Sequence, residues 1–221
     1  MALLHYDPPM DPMFDVLYQD DSVIVLNKPS GLLSVPGRDP IHFDSLSLRV
    51  SRVYPTTQVV HRLDMATSGV IVMALHRKAH AELSRQFRER ETAKCYYAWV
   101  YGNPKQDAGS IDLPLCCDWP NRPRHMVDHE NGKPALTHWR CIRRLDDRSL
   151  IKLTPITGRS HQLRVHMKSL GHVILGDNLY AEGEALTMAP HLQLHATELE
   201  FRHPKTKEWL KFTAPAPFAI E

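Results

Sequence analysis

The chain has 221 residues, a mass of 25.3 kDa and a net charge of +2 with neutral histidines. That length supports a sizeable core without disulfide staples, and 43% hydrophobic with 24% charged residues excludes wholesale disorder. The longest apolar run, Val70 to Leu75, is far shorter than the ~18 residues a spanning helix needs, and no early apolar stretch follows a Lys or Arg. A cytoplasmic protein without membrane association is therefore expected.

In chain order, residues 1–15 carry Pro8, Pro9 and Pro12 and no apolar period, so they are expected as an extended tail. Val16 to Tyr18 and Val23 to Leu26 predict two short strands, and Lys28-Pro29-Ser30-Gly31 a tight turn. Val70 to Leu75 predicts a buried strand. Residues 77–90 predict a helix with Ala79, Leu83 and Phe87 on one face and Arg77, Lys78, Arg85, Arg88 and Arg90 around the rest. Tyr96 to Tyr101 alternates as a strand, with Tyr97 and Trp99 on one face and Tyr96 on the other. Pro114 to Pro134 has the composition of a loop. Leu150 to Leu153 predicts a strand, and Ser160 is expected to cap a helix reaching Leu170, with Gly171 as its C′ residue. Leu192 to His195, Leu199 to Phe201 and Leu210 to Phe212 predict separate strand pieces. Many short strands and few helices make the expected class α+β with a largely antiparallel sheet.

The charge is segregated. The first 21 residues hold five Asp and no Lys or Arg, whereas the stretch between Asp147 and Asp177 holds Arg148, Lys152, Arg159, Arg164 and Lys168 and no acid. A basic face of this kind suits a polyanion, although solvated helix faces produce the same pattern. Cys95, Cys116, Cys117 and Cys141 form no Cys-x-x-Cys pair, which argues against both a disulfide framework and a thiolate zinc site. The i, i+4 pairs His76/His80, His125/His129 and His191/His195 lack an obvious third ligand, so no metal is expected. No glycine-rich phosphate loop is present, so no nucleotide cofactor is expected either.

Two stretches concentrate reactive side chains. His61-Arg62-Leu63-Asp64-Met65-Ala66-Thr67-Ser68-Gly69 sets a carboxylate beside an arginine in a turn that runs into the buried strand. Such an Asp can be a nucleophile, a base or an ordinary turn residue, and the residues by themselves do not choose. Thr157 to His166 puts two arginines, two histidines and a glutamine at a helix N-terminus, a natural setting for phosphate or carboxylate. A third stretch, Lys94-Cys95-Tyr96-Tyr97-Ala98-Trp99, sets aromatics beside a lysine, as in base-stacking surfaces and in protein cores alike.

The segment from His61 to Gly69 resembles the signature of the RluA-type pseudouridine synthases. The resemblance extends to Leu26-Asn27-Lys28-Pro29-Ser30-Gly31-Leu32, to Tyr96, to Gly158 through His166, and to Ile174-Leu175-Gly176-Asp177 with Tyr180. It implies a mixed, mainly antiparallel sheet flanked by helices with a central cleft, over a catalytic domain spanning 16–221, with no room for an N-terminal S4 domain. It implies Asp64 as the catalytic residue, with Arg164 as its partner, Tyr96 stacked on the uracil and Leu163 lining the base pocket. Arg62 would fill the place of a flipped base. Candidate substrate contacts are thus Arg62, His61, Thr67, Leu163, Arg159 and Lys28. Neither metal nor cofactor is implied, because isomerisation needs no redox change or energy input. The short N-terminus and Cys117-Asp118-Trp119-Pro120-Asn121-Arg122-Pro123 look like the family's dual-specificity members, which act on tRNA position 32 and 23S rRNA position 746. A monomer is expected. The competing readings are a synthase with another tRNA or rRNA target, a nucleic-acid glycosylase, and a non-catalytic RNA-binding module.

Overall fold

The structure, a computed structural model, describes residues 6–218. The chain divides into two compact units. Tyr6–Lys94 with Ala196–Pro217 form a terminal unit, and the chain from Cys95 to His195 forms a central unit.

In the terminal unit, β1 (Asp15–Gln19) and β2 (Val23–Lys28) form a hairpin around Asp20, whose carboxylate accepts the N–H groups of Ser22 and Val23. A 3-10 turn (Pro40–His42) and helix α1 (Leu46–Ser51) follow, the helix capped by Ser45 Oγ. Then come β3 (Gln58–Val59) and β4 (Ser68–Ala74). Every residue of β4 is buried, as its unbroken apolar run requires of a strand covered on both faces. Helix α2 (Arg77–Glu89) buries Ala79 and Leu83 against Val23, Val25, Val70, Val72 and Phe201, on the stripe expected from the sequence. His76 caps it, Nδ1 accepting from the Ala79 N–H.

In the central unit, β5, whose full span is Ala93–Tyr101, leads to β6 (Ala108–Asp112), β7 (Leu115–Cys117), β8 (His125–Val127), β9 (Leu136–Arg144) and β10 (Arg148–Pro155). The order β5-β10-β9-β6 is antiparallel throughout. Tyr97, Trp99 and Tyr101 share one face of β5 and pack with Leu150, Leu175 and Ala185, as the alternation predicts. Helices α3 (Gln162–Ser169) and α4 (Gly183–Thr187) complete this unit. The chain then re-enters the terminal unit within β11 (Leu194–Arg202), which pairs antiparallel with β12 (Trp209–Thr213). β11 also neighbours β4.

Three local expectations are corrected. The stretch from Pro114 to Pro134 is not all loop: β7 and β8 form a hairpin, pairing Cys117 with His125 across short strands that carry little apolar alternation. Ser160 does not cap α3; His161 precedes it with φ of 55°, in the left-handed region, and its side chain makes no cap bond. The pieces before and after Ala196 are one strand, because Thr197 and Glu198 continue the ladder despite their polarity.

Candidate active site

In the terminal unit, the loop after β2 is a frame on which the Asp64 turn hangs. Ser34 Oγ donates to the Leu63 carbonyl at 2.7 Å and accepts the Leu63 N–H at 3.1 Å. Ser30 Oγ donates to the Ala66 carbonyl at 2.7 Å, and the Gly31 N–H to the Met65 carbonyl at 2.9 Å. Gly31 has φ of +86°, which a glycine adopts without strain. Lys28 is the centre of this frame. Its side chain is 0% exposed, and Nζ donates to the carbonyls of Pro29, Leu32 and Met65 at 2.9, 2.6 and 3.0 Å. Burial lowers its pKa to about 7, with the negative charge of Asp64 opposing the shift. The buried amine, with three carbonyl acceptors, ties the Asp64 loop to the loop after β2.

Asp64 is half-buried, and its carbonyl accepts the Thr67 N–H at 3.1 Å, closing the turn that carries it. Thr67 is buried and Arg62 is exposed. His61 does not behave as a polar surface contact. Its Nε2 accepts the Val72 N–H at 3.2 Å, and its ring stacks on Phe87 with centroids 4.4 Å apart. Burial, aided by the positive charge of Lys94, pushes its pKa down to about 3, so it is a neutral anchor of the turn on β4. Directly after the turn, Gly69 has φ of +115°, and a Cβ there would lie 2.2 Å from the Ala196 carbonyl oxygen.

The expected tail also belongs to this framework from Tyr6 onward. The Tyr6 hydroxyl accepts the Leu33 N–H and donates to the Asp44 carbonyl. Buried Arg49 donates to the carbonyls of Pro9 and Met13 and pairs with the Asp44 carboxylate. Residues 6–13 therefore brace the loop that braces Asp64.

In the central unit, Arg164 projects from α3 and is buried at 3% side-chain exposure. Asp177, at 0%, holds its guanidinium in a fork: Nε donates at 2.8 Å and Nη2 at 2.6 Å. Asp177 is also fixed, accepting the N–H groups of Leu179 and Tyr180. The Tyr180 ring carries the guanidinium of Arg164 at 5.1 Å, while its hydroxyl meets His161 Nδ1 and accepts the His125 N–H, both at 2.7 Å. Gln162 accepts from Thr157 and the Arg159 N–H and donates to Leu136 and Thr137. The helix whose N-terminus was expected to offer a phosphate or carboxylate site is buried from Gln162 to Met167, every polar member satisfied by a named partner or, for Arg164, by a carboxylate. Leu163 is buried, half-buried Tyr96 of β5 lies opposite Leu153 of β10, and Arg159 donates from Nε to the Pro134 carbonyl.

Sequence reasoning missed the structural work of Ser30, Ser34, Asp177 and Tyr180. All but Ser34 lay inside a quoted motif. Ser34 carried no signal, because serines in turns are commonplace.

The family model described as RNA pseudouridylate synthase matches residues 22–169, which include Lys28, the Asp64 turn and Arg164. The chain belongs to the RNA pseudouridylate synthase family and is an RNA-modifying isomerase. It is 54% identical over 219 residues to the dual-specificity RNA pseudouridine synthase RluA of Pasteurella multocida, covering 99% of this chain and all of that protein. It is 55% identical to the Escherichia coli K12 protein of the same name over the same coverage. Among solved structures, human RNA pseudouridylate synthase domain containing 1 superposes with a TM-score of 0.80 at 28% identity, covering 96% of this chain and 87% of that one. The α+β class with a mixed sheet is the fold of these synthases.

Proposed function

We propose that this isomerase has two substrates, uridine 32 in a tRNA anticodon stem-loop and uridine 746 of 23S rRNA. The observation that carries this reading is full-length identity above 50% to synthases whose names state dual specificity. In the reaction the N–C1′ glycosidic bond breaks, the uracil rotates and C5 takes the place of N1 on the sugar. The C5 proton must leave and N1 must gain one, so the change is a balanced isomerisation. Asp64 is the catalytic carboxylate, acting as nucleophile on the sugar or as base. Arg164, held by Asp177, supplies positive charge to the site, Tyr96 stacks on the uracil, and Leu163 provides apolar packing for the base. Exposed Arg62 occupies the gap left by the flipped uridine and offsets part of the unstacking cost, a few kcal/mol. The enzyme works as a cytoplasmic monomer without metal or cofactor.

The test offers an anticodon stem-loop and a short 23S fragment separately to purified protein and maps pseudouridine in each. Modification of both at the stated positions supports the reading. Modification of only one, or a requirement for assembled ribosomal particles, overturns dual specificity.

A further inference from the structure

The turn between β7 and β8 holds a tryptophan that the reaction as described does not use. Trp119 is 68% exposed, although tryptophan is among the costliest side chains to leave in water. The guanidinium of Arg122 lies over its ring at 4.3 Å. The turn that displays the pair is closed by its own bonds. The Asp118 N–H donates to the Arg124 carbonyl, the Asn121 N–H to the Asp118 carbonyl and the Arg124 N–H to the Asn121 carbonyl, each at 3.0 Å. Both Asp118 carboxylate oxygens accept from Asn121 Nδ2 at 3.0 Å. Pro120 and Pro123 restrict the same backbone further.

The turn is rooted beside a residue already placed in the site. The His125 N–H, one residue past Arg124, donates to the Tyr180 hydroxyl. The guanidinium of Arg124 lies 5.5 Å from the Tyr180 ring that Arg164 also touches, and Lys168 Nζ lies at 5.8 Å. A rigid, water-exposed indole with a cation on it, continuous with further cations, has the chemistry that stacks nucleobases and attracts phosphate. The apolar side chains of a protein partner would find two arginines at this rim.

We infer that Trp119, backed by Arg122, is a preformed stacking platform for an unpaired base of the RNA substrate outside the isomerised uridine. The inference deepens the proposed function and rests on its RNA substrates. An ordered turn requires little reorganisation on binding, so the platform contributes to affinity and to the choice of loop, not to the chemical step.

The test compares wild type, Trp119→Ala and Trp119→Phe with the anticodon stem-loop. Loss of one stacked base predicts that Trp119→Ala raises Kd and KM by about 5- to 100-fold while kcat at saturating RNA stays within about twofold. Trp119→Phe, which keeps an aromatic face, stays within about threefold of wild type. The indole emission present in wild type and lost in Trp119→Phe is quenched when RNA binds. Unchanged Kd and KM in Trp119→Ala, or emission insensitive to RNA, overturns the platform while wild-type isomerisation leaves the proposed function standing. A wild-type protein that modifies neither RNA overturns the function itself.

Discussion

A lysine placed beyond the reach of water must find acceptors for three N–H groups, and Lys28 finds them in Pro29, Leu32 and Met65. One of those carbonyls follows Asp64 directly, so the lysine sets the path of the backbone that presents the carboxylate. Lys28→Met should leave the Pro29 and Leu32 carbonyls without this donor, while Met65 keeps the Gly31 N–H, and cost at least about 2 kcal/mol, since each unsatisfied buried group costs about 1–3. Thermal melting should fall by about 4 °C or more. By contrast, Asp64→Asn should melt near wild type, lose isomerisation entirely and keep RNA affinity within about tenfold. Substantial turnover by this variant would remove Asp64 from the catalytic role. His61 supplies a pH signature. Its folded-state pKa of about 3 lies below the ordinary 6.5, so between these values the unfolded chain binds a proton that the folded chain refuses. Stability therefore falls as pH drops through this window, with His61 contributing a slope of up to about 1.4 kcal/mol per pH unit. His61→Gln lacks that contribution, so its stability deficit relative to wild type should shrink between pH 6.5 and 4. An imidazole that titrates near 6.5 by NMR would contradict the anchor.

At the scale of elements, β4 and α3 show how differently pattern reads out. The run from Val70 to Leu75 was legible because continuous apolarity leaves a strand no solvated face. Gly69, just before it, was legible only as a turn former; its tight approach to Ala196 of β11 is a tertiary fact. Gly69→Ala should cost more than about 3 kcal/mol, combining left-handed strain with a clash against backbone that has no rotamer to yield. Helix α3 was expected from a Ser160 cap with an anion site at its N-terminus, and it starts at Gln162 with those side chains buried. Its arginine and histidine are satisfied by Asp177, Thr137 and Leu113, which arrive from elsewhere in the chain. Asp177→Asn should keep the packing volume but strip the charge partner from buried Arg164. A loss of about 3–5 kcal/mol is expected, with activity falling in parallel. A fully stable Asp177→Asn variant would show that Arg164 does not depend on this pair.

Across the whole molecule, net charge says little about where phosphate would bind. Helix α2 looked basic in the sequence, but Arg85 is paired with Glu82, Glu89 and Glu91, and Arg88 with Glu89. These pairs lower its value as a phosphate-binding surface, which shifts the expectation toward Arg62, Arg124 and Arg159. Kd for a stem-loop should rise steeply with salt, and neutralising Arg62 or Arg124 should each reduce the slope of log Kd against log salt by about 1. Neutralising Arg85 should leave the slope unchanged. Full activity should also survive dialysis against a chelator. His76 spends Nδ1 on capping α2, and His80 Nε2 lies at 3.2 Å from the Val59 carbonyl, so this pair is occupied by the fold. Zinc-restored activity would contradict that assignment.

Several motifs in order, each built from residues whose chemistry is specific, made the family readable from the chain alone and singled out Asp64 as the candidate carboxylate. Local sequence also fixed most strands and α2, because hydrophobic period and turn residues act within a few positions of themselves. What only the tertiary structure decided is who holds the reactive groups. Lys28 became a buried clasp, His61 a neutral anchor, Arg164 the partner of Asp177, and residues 6–13 a brace. The polar partners of a buried group can come from any distance along the chain, and a charged residue reads the same in sequence whether water or a carboxylate satisfies it.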